Sequence, residues 1–346
     1  MTLFTSEQVS CGHPDKICDQ ISDAILDAYL TQDPYSRVAV ETLIKNNNIV
    51  VAGEISSQGD INVNNTIFSV LDDIGVNNCN YQILNLLDKQ SPDIALGVDI
   101  GGAGDQGIMF GYACDETPEC LPLAYVLATD ALKRLRALNH PMLRPDAKSQ
   151  VTVRYEDGKP IAIDTFLVST QHAAEIGQAE VREIVYPLLK ESAAKYNMNL
   201  DFKVLVNPTG RFVIGGSFGD AGVTGRKIIA DSYGGYARHG GGCYSGKDSS
   251  KVDRSAAYMA RYIAKWLLKL CDLKECEVQI GYAIGIAEPV SVNIRTNTSQ
   301  NFEPLVRSTF DLTPNGIISF LDLRRPIYYD TAKYGHFIGD YTWERV

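Results

Sequence analysis

Charged residues cluster around a glycine-rich stretch, GGGCYSGKD (Gly240–Asp248), whose spacing is close to that of a phosphate-binding loop. Gly241, four residues and then Gly246-Lys247 match the start of the GxxxxGK[ST] pattern, but Asp248 stands where that loop needs a hydroxyl for Mg²⁺. The residues before it, DSYGGYARH, are also a poor buried strand. We therefore reject a P-loop, although the stretch remains a candidate for binding phosphate groups.

Lysines and carboxylates follow this stretch. Lys247 and Lys251 come just before a predicted helix, RSAAYMARYIAKWLLKL, and a helix N-terminus with nearby lysines attracts phosphate. Asp253 either forms a capping box with Ser250 or binds Mg²⁺ together with phosphate oxygens. Asp15 has a similar pair of interpretations, because an acidic residue in a first helical turn also stabilises the helix dipole. The residue types alone leave these alternatives open.

A second glycine motif, GAGDQG (Gly102–Gly107), matches the dinucleotide-binding pattern GxGxxG. That pattern must follow a strand and begin a helix. Here IMFGYAC comes next and has the composition of a strand. We therefore predict that this motif is not a dinucleotide site.

Three further titratable residues admit a structural or a functional interpretation. His13 precedes a predicted helix and is either an exposed loop histidine or part of a site. Glu41 and Glu54 lie in two predicted strands, on faces that they share with apolar residues. Because burying such a charge without a partner is costly, each glutamate is either exposed or meets a cation or a ligand ammonium group.

The elements that position these residues follow from the apolar pattern. Pro14 suits the first turn of a helix, and isoleucines then recur every four residues. Two strands, RVAVETLIK and IVVAGEIS, are joined by an asparagine turn, and a helix at about 62–74 and a strand at about 81–87 follow. A similar order recurs from Leu121 and from Asp253. We predict an α+β fold of three similar units, each a small, mostly antiparallel sheet with helices on one face, related by a pseudo-threefold.

Composition limits the classes of function. The chain has 346 residues, of which 45% are hydrophobic, and a formal net charge of −10, so we expect a globular protein that does not bind nucleic acid. We expect no signal peptide, because MTLFTSEQ lacks a basic and an apolar region, and no apolar run approaches the roughly 18 residues of a membrane span. Eight cysteines without CxxC spacing are typical of reduced thiols, which predicts a cytoplasmic protein.

Taken together, six stretches resemble the signature motifs of the methionine adenosyltransferase family, also called S-adenosylmethionine synthetase. They are GHPDK (Gly12–Lys16), GAGDQG (Gly102–Gly107), RPDAKSQVT (Arg144–Thr152), NPTGRFVIGG (Asn207–Gly216), TGRKII (Thr224–Ile229) and GGGCYSGKD (Gly240–Asp248). The motifs occur in the family's order and span nearly the whole chain. Cys11 and Cys243 depart from the family's usual residues, and the segment between Gln90 and Gly102 is shorter than usual.

This resemblance implies three α+β domains and an active site shared between two subunits. We expect an N-terminal domain at 1–90, a mobile active-site loop at 91–101, a central domain at 102–213 and a C-terminal domain at 214–346. The implied assembly is a homodimer or a dimer of dimers.

The resemblance also assigns roles by motif. The implied catalytic residues are His13, Lys16, Arg226, Lys247 and Lys251. The implied ATP contacts are His13, Asp146, Lys148, Arg211, Phe212, Asp220, Arg226, Lys227, Cys243 and Lys247. The implied methionine contacts are Glu54, Gln90, Asp105, Asp220 and Lys251. The implied cation ligands are Asp15 and Asp253 for two Mg²⁺ per site and Glu41 for K⁺.

The implied activity is synthesis of S-adenosylmethionine from ATP and L-methionine, followed by hydrolysis of tripolyphosphate to phosphate and pyrophosphate. A thioether carries no proton, so its attack on C5′ needs no general base, and the candidate residues contain no obvious nucleophile–base pair. Two alternatives are a non-catalytic nucleotide-binding subunit and a hydrolase that no longer uses methionine. The charged motif residues argue against the first, and Glu54, Gln90 and Lys251 argue against the second.

Overall fold

A computed structural model describes residues 1–77, 79–89 and 102–346 of this protein. These residues form three small β-sheets with helices packed on them. In these residues the strands are β1 (Thr2–Val9), β2 (Arg37–Lys45), β3 (Asn48–Ser56), β4 (Gln82–Lys89), β5 (Gly107–Cys114), β6 (Leu143–Glu156), β7 (Lys159–His172), β8 (Lys203–Val206), β9 (Gly222–Val223), β10 (Glu275–Tyr282) and β11 (Ser291–Thr296). The helices are α1 (Pro14–Gln32), α2 (Val63–Ile74), α3 (Leu123–Ala137), α4 (Gln178–Lys195), α5 (Gly216–Gly219), α6 (Ile228–Asp231), α7 (Val252–Leu270), α8 (Glu303–Thr309), α9 (Pro314–Leu321) and α10 (Thr331–Tyr334). The predicted α+β class is confirmed.

Each sheet joins strands that are far apart in the chain. The first sheet has the order β4-β3-β2-β9, the second β1-β6-β7-β8 and the third β11-β10-β5. Neighbouring strands are antiparallel except for the parallel pairs β3/β4 and β7/β8. The sheets are therefore mostly antiparallel, as predicted.

Each sheet combines strands from two of the three predicted sequence segments. The first sheet takes β9 from segment 214–346, the second takes β1 from segment 1–90, and the third takes β5 from segment 102–213. Consequently no segment completes its sheet alone, and the chain is held together by pairings between distant residues. The domain boundaries themselves stay a prediction.

Helices cover one face of each sheet. Helix α1 packs on β2 with α2 beside it, α3 packs on β1 and β6, and α7 packs on β5 and β10. The isoleucine stripe of α1 is buried as predicted, since Ile17, Ile21 and Ile25 are at most 1% exposed. At the third sheet Gly111 lets β5 approach α7 closely, because a Cβ there would lie 2.0 Å from the carbonyl carbon of Ala260.

The outer face of the first sheet remains uncovered in the described chain. Leu43 lies opposite Val50, which lies opposite Leu84 on the next strand. Leu43 is 42% exposed, and Leu84 and Leu86 are each 53% exposed. Side chains on this face alternate with buried residues such as Val51, so the sheet is apolar on both sides.

The first residues of α1 and α7 show how these two helices are capped. His13 is the N-cap of α1, and its side chain accepts a hydrogen bond from the Asp15 N–H. Lys251, not Ser250, is the N-cap of α7, and no side chain caps that end. The capping-box interpretation of Asp253 is therefore wrong, because the helix begins one residue later than the motif requires.

The described helices give no sign of a membrane span. None of them is both long and apolar enough to cross a bilayer.

Candidate active site

One face of α1 carries an acidic row, defined here as Asp15, Asp19, Asp23 and Asp27, at a spacing of four residues. The first three carboxylates are at most 1% exposed. Each accepts backbone N–H groups from the C-terminal part of the chain: Asp15 from Val223 (2.9 Å), Asp19 from Gly225 (2.8 Å), Asp23 from Gly246 (2.8 Å), and Asp27 from Tyr328 and Tyr329. Because buried carboxylates need donors, this row fixes the TGRKII motif and the glycine-rich turn beside α1.

Asp15 lies at the centre of a group of cations. Its carboxylate forms an ion pair with Lys227, and Arg226 Nη1 lies 3.9 Å from its Oδ1. Arg226 is about half exposed, whereas Asp15 is buried. The predicted phosphate contacts Arg226 and Lys227 are therefore brought together with the predicted metal ligand Asp15.

His13 faces the same group and is buried. Burial, together with the charges of Lys227 and Lys148, lowers the pKa of His13 to about 3. Its Nδ1 accepts the Asp15 N–H at 3.2 Å, so the neutral ring carries its proton on Nε2. His13 is thus a neutral hydrogen-bond donor at neutral pH, and the exposed-loop interpretation is wrong.

Lys16 is not part of the cation group around Asp15. Its side chain is fully buried, with Nζ 2.5 Å from Asp231 Oδ1 and 3.1 Å from Asp19 Oδ2. Both carboxylates are also buried, and this environment raises the pKa of Lys16 despite desolvation. The expectation that Lys16 holds triphosphate does not fit this burial, because the ammonium group is already paired within the core.

The glycine-rich turn positions a second group of charges. Lys247 Nζ lies 2.6 Å from Asp253 Oδ2. Gly246 has φ +82°, and a Cβ there would lie 2.0 Å from the Val40 carbonyl oxygen, so only glycine fits. The backbone around Lys247 is consequently pressed against strand β2.

Asp248 explains why the turn differs from a P-loop. Its Oδ2 accepts the Val38 N–H at 2.7 Å and lies 2.5 Å from Lys251 Nζ. Burial would raise the pKa of Asp248, but Lys251 and the donors to the carboxylate outweigh burial and lower it. The carboxylate thus fastens the turn to β2 and holds Lys251.

A cavity of about 250 Å³ lies between this turn and the first sheet. It brings together the predicted residues Glu54, Asp105, Lys247, Lys251 and Asp253. Glu54 is exposed to this space rather than buried, in agreement with the exposed alternative. Side chains of both positive and negative charge line the cavity, which suits an amino acid zwitterion.

Glu41 and Cys243 lie between the two groups of charges. Glu41 is exposed on the outer face of the first sheet and acts electrostatically on Lys247 and Cys243. A Cβ on Gly225 would come 2.6 Å from the Cys243 Cβ, so the TGRKII motif packs against the glycine-rich turn. Burial raises the pKa of the Cys243 thiol, so the thiol is protonated and uncharged at neutral pH.

Asp146 and Lys148, two further predicted ATP contacts, lie on β6. Asp146 Oδ2 accepts the Gly216 N–H at 2.8 Å, and burial raises the pKa of Asp146 to about 6. Lys148 follows on β6 and acts electrostatically on both His13 and Asp146.

The loop that contains Arg211 and Phe212 is partly exposed. The Phe212 N–H donates to His172 Nε2 at 3.1 Å, which fixes the backbone of that loop. Arg211 and Asp220 are exposed. Gln90 and the loop 91–101 lie outside the described residues, so their predicted roles stay untested.

The described residues do not form a three-ligand metal cluster by themselves. Within residues 1–77, 79–89 and 102–346, no three His, Cys, Asp or Glu side chains are grouped to hold a metal ion. Asp15 and Asp253 each pair with a lysine instead. Single carboxylates of this kind suit Mg²⁺, which usually takes one or two carboxylates and completes its octahedron with water and substrate phosphates.

The structure is an α+β fold in which the N-terminal and C-terminal parts of the chain bring lysines, an arginine and carboxylates together. Models of the S-adenosylmethionine synthetase family match the chain in order: the N-terminal domain over residues 1–92, the central domain over 100–212 and the C-terminal domain over 214–345. The chain therefore belongs to the S-adenosylmethionine synthetase family. The complete set of three domains identifies a methionine adenosyltransferase, and this family uses divalent and monovalent cations.

Sequence reasoning missed the residues that support the site, namely Asp19, Asp23, Asp231, His172 and Arg254. The spacing of the acidic row was readable, because four aspartates recur every four residues in α1. Such a row is usually a solvated helix face. Its burial depends on residues more than 200 positions away, as for Asp19 and Gly225.

The depressed pKa of His13 predicts how stability changes with pH. The unfolded chain binds a proton at His13 below about pH 6.5, whereas the folded chain does not until about pH 3. The free energy of unfolding should therefore fall as the pH decreases from 6.5, by about 2 kcal/mol at pH 5 from this group. Urea titrations between pH 5 and 7.5 measure this slope.

His13→Asn keeps an acceptor for the helix cap and removes the titrating group. Its free energy of unfolding should therefore change less steeply with pH than that of wild type, by the equivalent of about one proton. Val9 is a buried residue near His13 and has no titrating group. Val9→Ala should therefore lower the free energy of unfolding at every pH and keep the pH dependence of wild type. An identical slope for His13→Asn and wild type would contradict the neutral state of His13.

Proposed function

We propose that the protein makes S-adenosylmethionine by attack of the methionine thioether on C5′ of bound ATP and then hydrolyses the tripolyphosphate. One observation carries this proposal: three cations, Arg226, Lys227 and Lys247, converge on two helix-start carboxylates, Asp15 and Asp253. The arrangement suits a polyphosphate with bound cations, in a chain that the family models cover throughout.

The proposed transfer is a single displacement. The sulfur–C5′ bond forms as the C5′–oxygen bond breaks, and the electron pair leaves with the triphosphate oxygen. No proton leaves the sulfur, so the step needs in-line positioning and stabilisation of the departing negative charge rather than a base. Neutral His13, with its Nε2–H, is a suitable donor to the leaving oxygen.

The cations of the site have two sets of partners. In this structure Lys227 pairs with Asp15 and Lys247 pairs with Asp253. A triphosphate would draw these lysines to itself and leave both carboxylates free for Mg²⁺. Two Mg²⁺ held by Asp15, Asp253 and phosphate oxygens would neutralise the triphosphate, and Glu41 is the proposed K⁺ ligand.

The cavity at Glu54 and Lys251 is the proposed methionine site. Lys251 is paired with Asp248 and faces the cavity, where it suits a carboxylate. Glu54 and Asp105 provide negative charge for an ammonium group and for the developing sulfonium. By family resemblance Gln90 and Asp220 complete this site.

The proposed recognition of ATP by Asp146, Lys148, Arg211 and Phe212 follows the family resemblance. Asp146, Lys148 and Phe212 lie on β6 and the loop that His172 holds, and Arg211 lies in the same loop. Asp146 has one carboxylate oxygen bound to the Gly216 N–H, and the other has no partner within the described residues, so it remains an acceptor for a nucleoside.

The uncovered face of the first sheet supports the proposed homodimer. Leu43, Leu84 and Leu86 form an exposed apolar surface beside Glu41 and Glu54. Contiguous apolar surface of this kind marks an interaction site. A twofold contact through this face would bring the cavity of one subunit to its partner.

The direct test is incubation with ATP, methionine, Mg²⁺ and K⁺, followed by mass detection of S-adenosylmethionine. Product should form only when all substrates and Mg²⁺ are present. Release of phosphate from ATP without any S-adenosylmethionine would contradict the proposal and favour the hydrolase alternative.

Replacing either proposed metal ligand should stop turnover, and at the partly exposed Asp253 the fold should stay nearly unchanged. Asp15→Asn and Asp253→Asn should each remove most S-adenosylmethionine synthesis at saturating Mg²⁺. The loss of unfolding free energy at Asp253 should be no more than about 1 kcal/mol, the size of a helix-dipole contribution. Near-normal turnover of either variant would exclude its metal role.

Mixed dimers test whether two subunits share a site. If Asp15 and Lys247 serve one site from different chains, inactive Asp15→Asn and Lys247→Ala chains should regain part of the activity when combined, because one of the two sites in a mixed dimer would then carry neither change. Separately tagged chains purified in tandem verify the mixed dimer. Inactivity of verified mixed dimers would show that Asp15 and Lys247 serve a site from the same chain.

A further inference from the structure

A buried ion pair joins α1 to α7 directly below the glycine-rich turn. Arg254 donates from Nη1 and Nη2 to the two carboxylate oxygens of Asp23, at 2.8 and 2.7 Å. Both side chains are 0% exposed. This bidentate geometry allows little rotation of either group, so it fixes the relative position of the two helices.

The same ion pair also binds the backbone of Gly246 and Lys247 in the glycine-rich turn. The Gly246 N–H donates to Asp23 Oδ1 at 2.8 Å, and Arg254 Nη1 donates to the Lys247 carbonyl oxygen at 2.8 Å. On the other side of the turn, the Val40 N–H donates to the Gly246 carbonyl oxygen at 2.9 Å. The backbone of Gly246 and Lys247 therefore has no freedom to shift without breaking the ion pair.

Consecutive residues of α7 hold the two ends of Lys247. Arg254 binds its carbonyl oxygen, and Asp253 binds its ammonium group at 2.6 Å. The first turn of α7 thus determines both where the Lys247 backbone lies and where its side chain points.

Further contacts fix the guanidinium group itself. Arg254 Nε donates to the Tyr258 hydroxyl at 3.0 Å, and this hydroxyl lies 2.7 Å from His336 Nδ1. The Tyr328 ring packs 4.2 Å from the guanidinium carbon. Because buried ion pairs often contribute little net stability compared with apolar side chains, geometry is a better reason than stability for these contacts.

We propose that Asp23 and Arg254 are positioning residues that place Lys247 for polyphosphate binding. The inference rests on the proposed function, in which Lys247 is a phosphate ligand. Neither residue touches the substrate, since both lie in the core.

The chain offers a matched control on the same helix. Arg261 forms an equally buried bidentate pair with Glu344, at 2.8 and 2.9 Å, and also donates to backbone carbonyl oxygens. Within the described residues, the side chain of Arg261 hydrogen-bonds to Glu344, Tyr112, Cys120 and Glu119, which lie outside the glycine-rich turn and the cavity. Arg254→Lys and Arg261→Lys therefore remove similar interactions, and only the first affects Lys247.

The measurement is calorimetric binding of tripolyphosphate with Mg²⁺ to the full-length protein. Arg254→Lys should weaken binding about tenfold, and Lys247→Ala about 10- to 100-fold, the range for a hydrogen bond between charged groups. Arg261→Lys should stay within about twofold of wild type. Melting temperatures should fall comparably for the two arginine variants.

A double-mutant cycle separates positioning from general destabilisation. In the Lys247→Ala background, Arg254→Lys should have almost no further effect on tripolyphosphate binding, because the residue that it positions is absent. A full additional tenfold loss in that background would overturn the inference. Equal losses for Arg254→Lys and Arg261→Lys would also overturn it.

A double variant that removes both charges of the ion pair tests the proposal if a single substitution prevents folding. Asp23→Asn with Arg254→Gln leaves no isolated buried charge, and Arg261→Gln with Glu344→Gln is its control. The first pair should weaken tripolyphosphate binding about tenfold, and the control should not. Unchanged binding by a folded Asp23→Asn, Arg254→Gln protein would contradict positioning.

The result is distinguishable from failure of the proposed function. If wild type makes no S-adenosylmethionine but the binding cycle behaves as described, the reaction is wrong and the positioning role stands. If Lys247→Ala binds tripolyphosphate as tightly as wild type, Lys247 is not a phosphate ligand and the inference fails with it.

Discussion

The structure depends on the burial of an acidic row along one face of α1. Asp15, Asp19 and Asp23 are removed from water, and a buried carboxylate is tolerated only where donors surround it. The donors come from the C-terminal part of the chain, through backbone N–H groups and the side chains of Lys227 and Arg254. Folding of the second half onto the first is therefore a condition for a stable α1, and it also assembles the site.

Strand exchange reinforces the same dependence. Because β1, β5 and β9 each complete the sheet of another segment, the three sheets form a closed set of mutual contacts. The candidate active site lies where these segments meet, between the first sheet, the TGRKII motif and the glycine-rich turn. Rigid elements of different segments thereby hold residues that are far apart in the chain, as catalysis by positioning requires.

Charge pairing prepares the site for an anionic ligand. Lysines lie beside carboxylates in this structure, so the polyphosphate of the proposed reaction would meet oriented cations rather than flexible ones. Lys16 belongs to a different layer, since Asp19 and Asp231 hold it in the core below these cations. The distinction between Lys16 and Lys227 is one of burial, which their residue type does not reveal.

The sequence by itself determined the local elements and the motifs. The isoleucine spacing of α1, the asparagine turn between β2 and β3, and the strand after Gly102–Gly107 all depend on neighbouring residues, and the structure confirms them. The family followed from six motifs. Only the tertiary structure decided that β1, β5 and β9 change sheets, that Lys16 is buried and that Asp23 and Arg254 hold Lys247. These features depend on long-range burial and pairing, which periodicity and residue type within one segment do not encode.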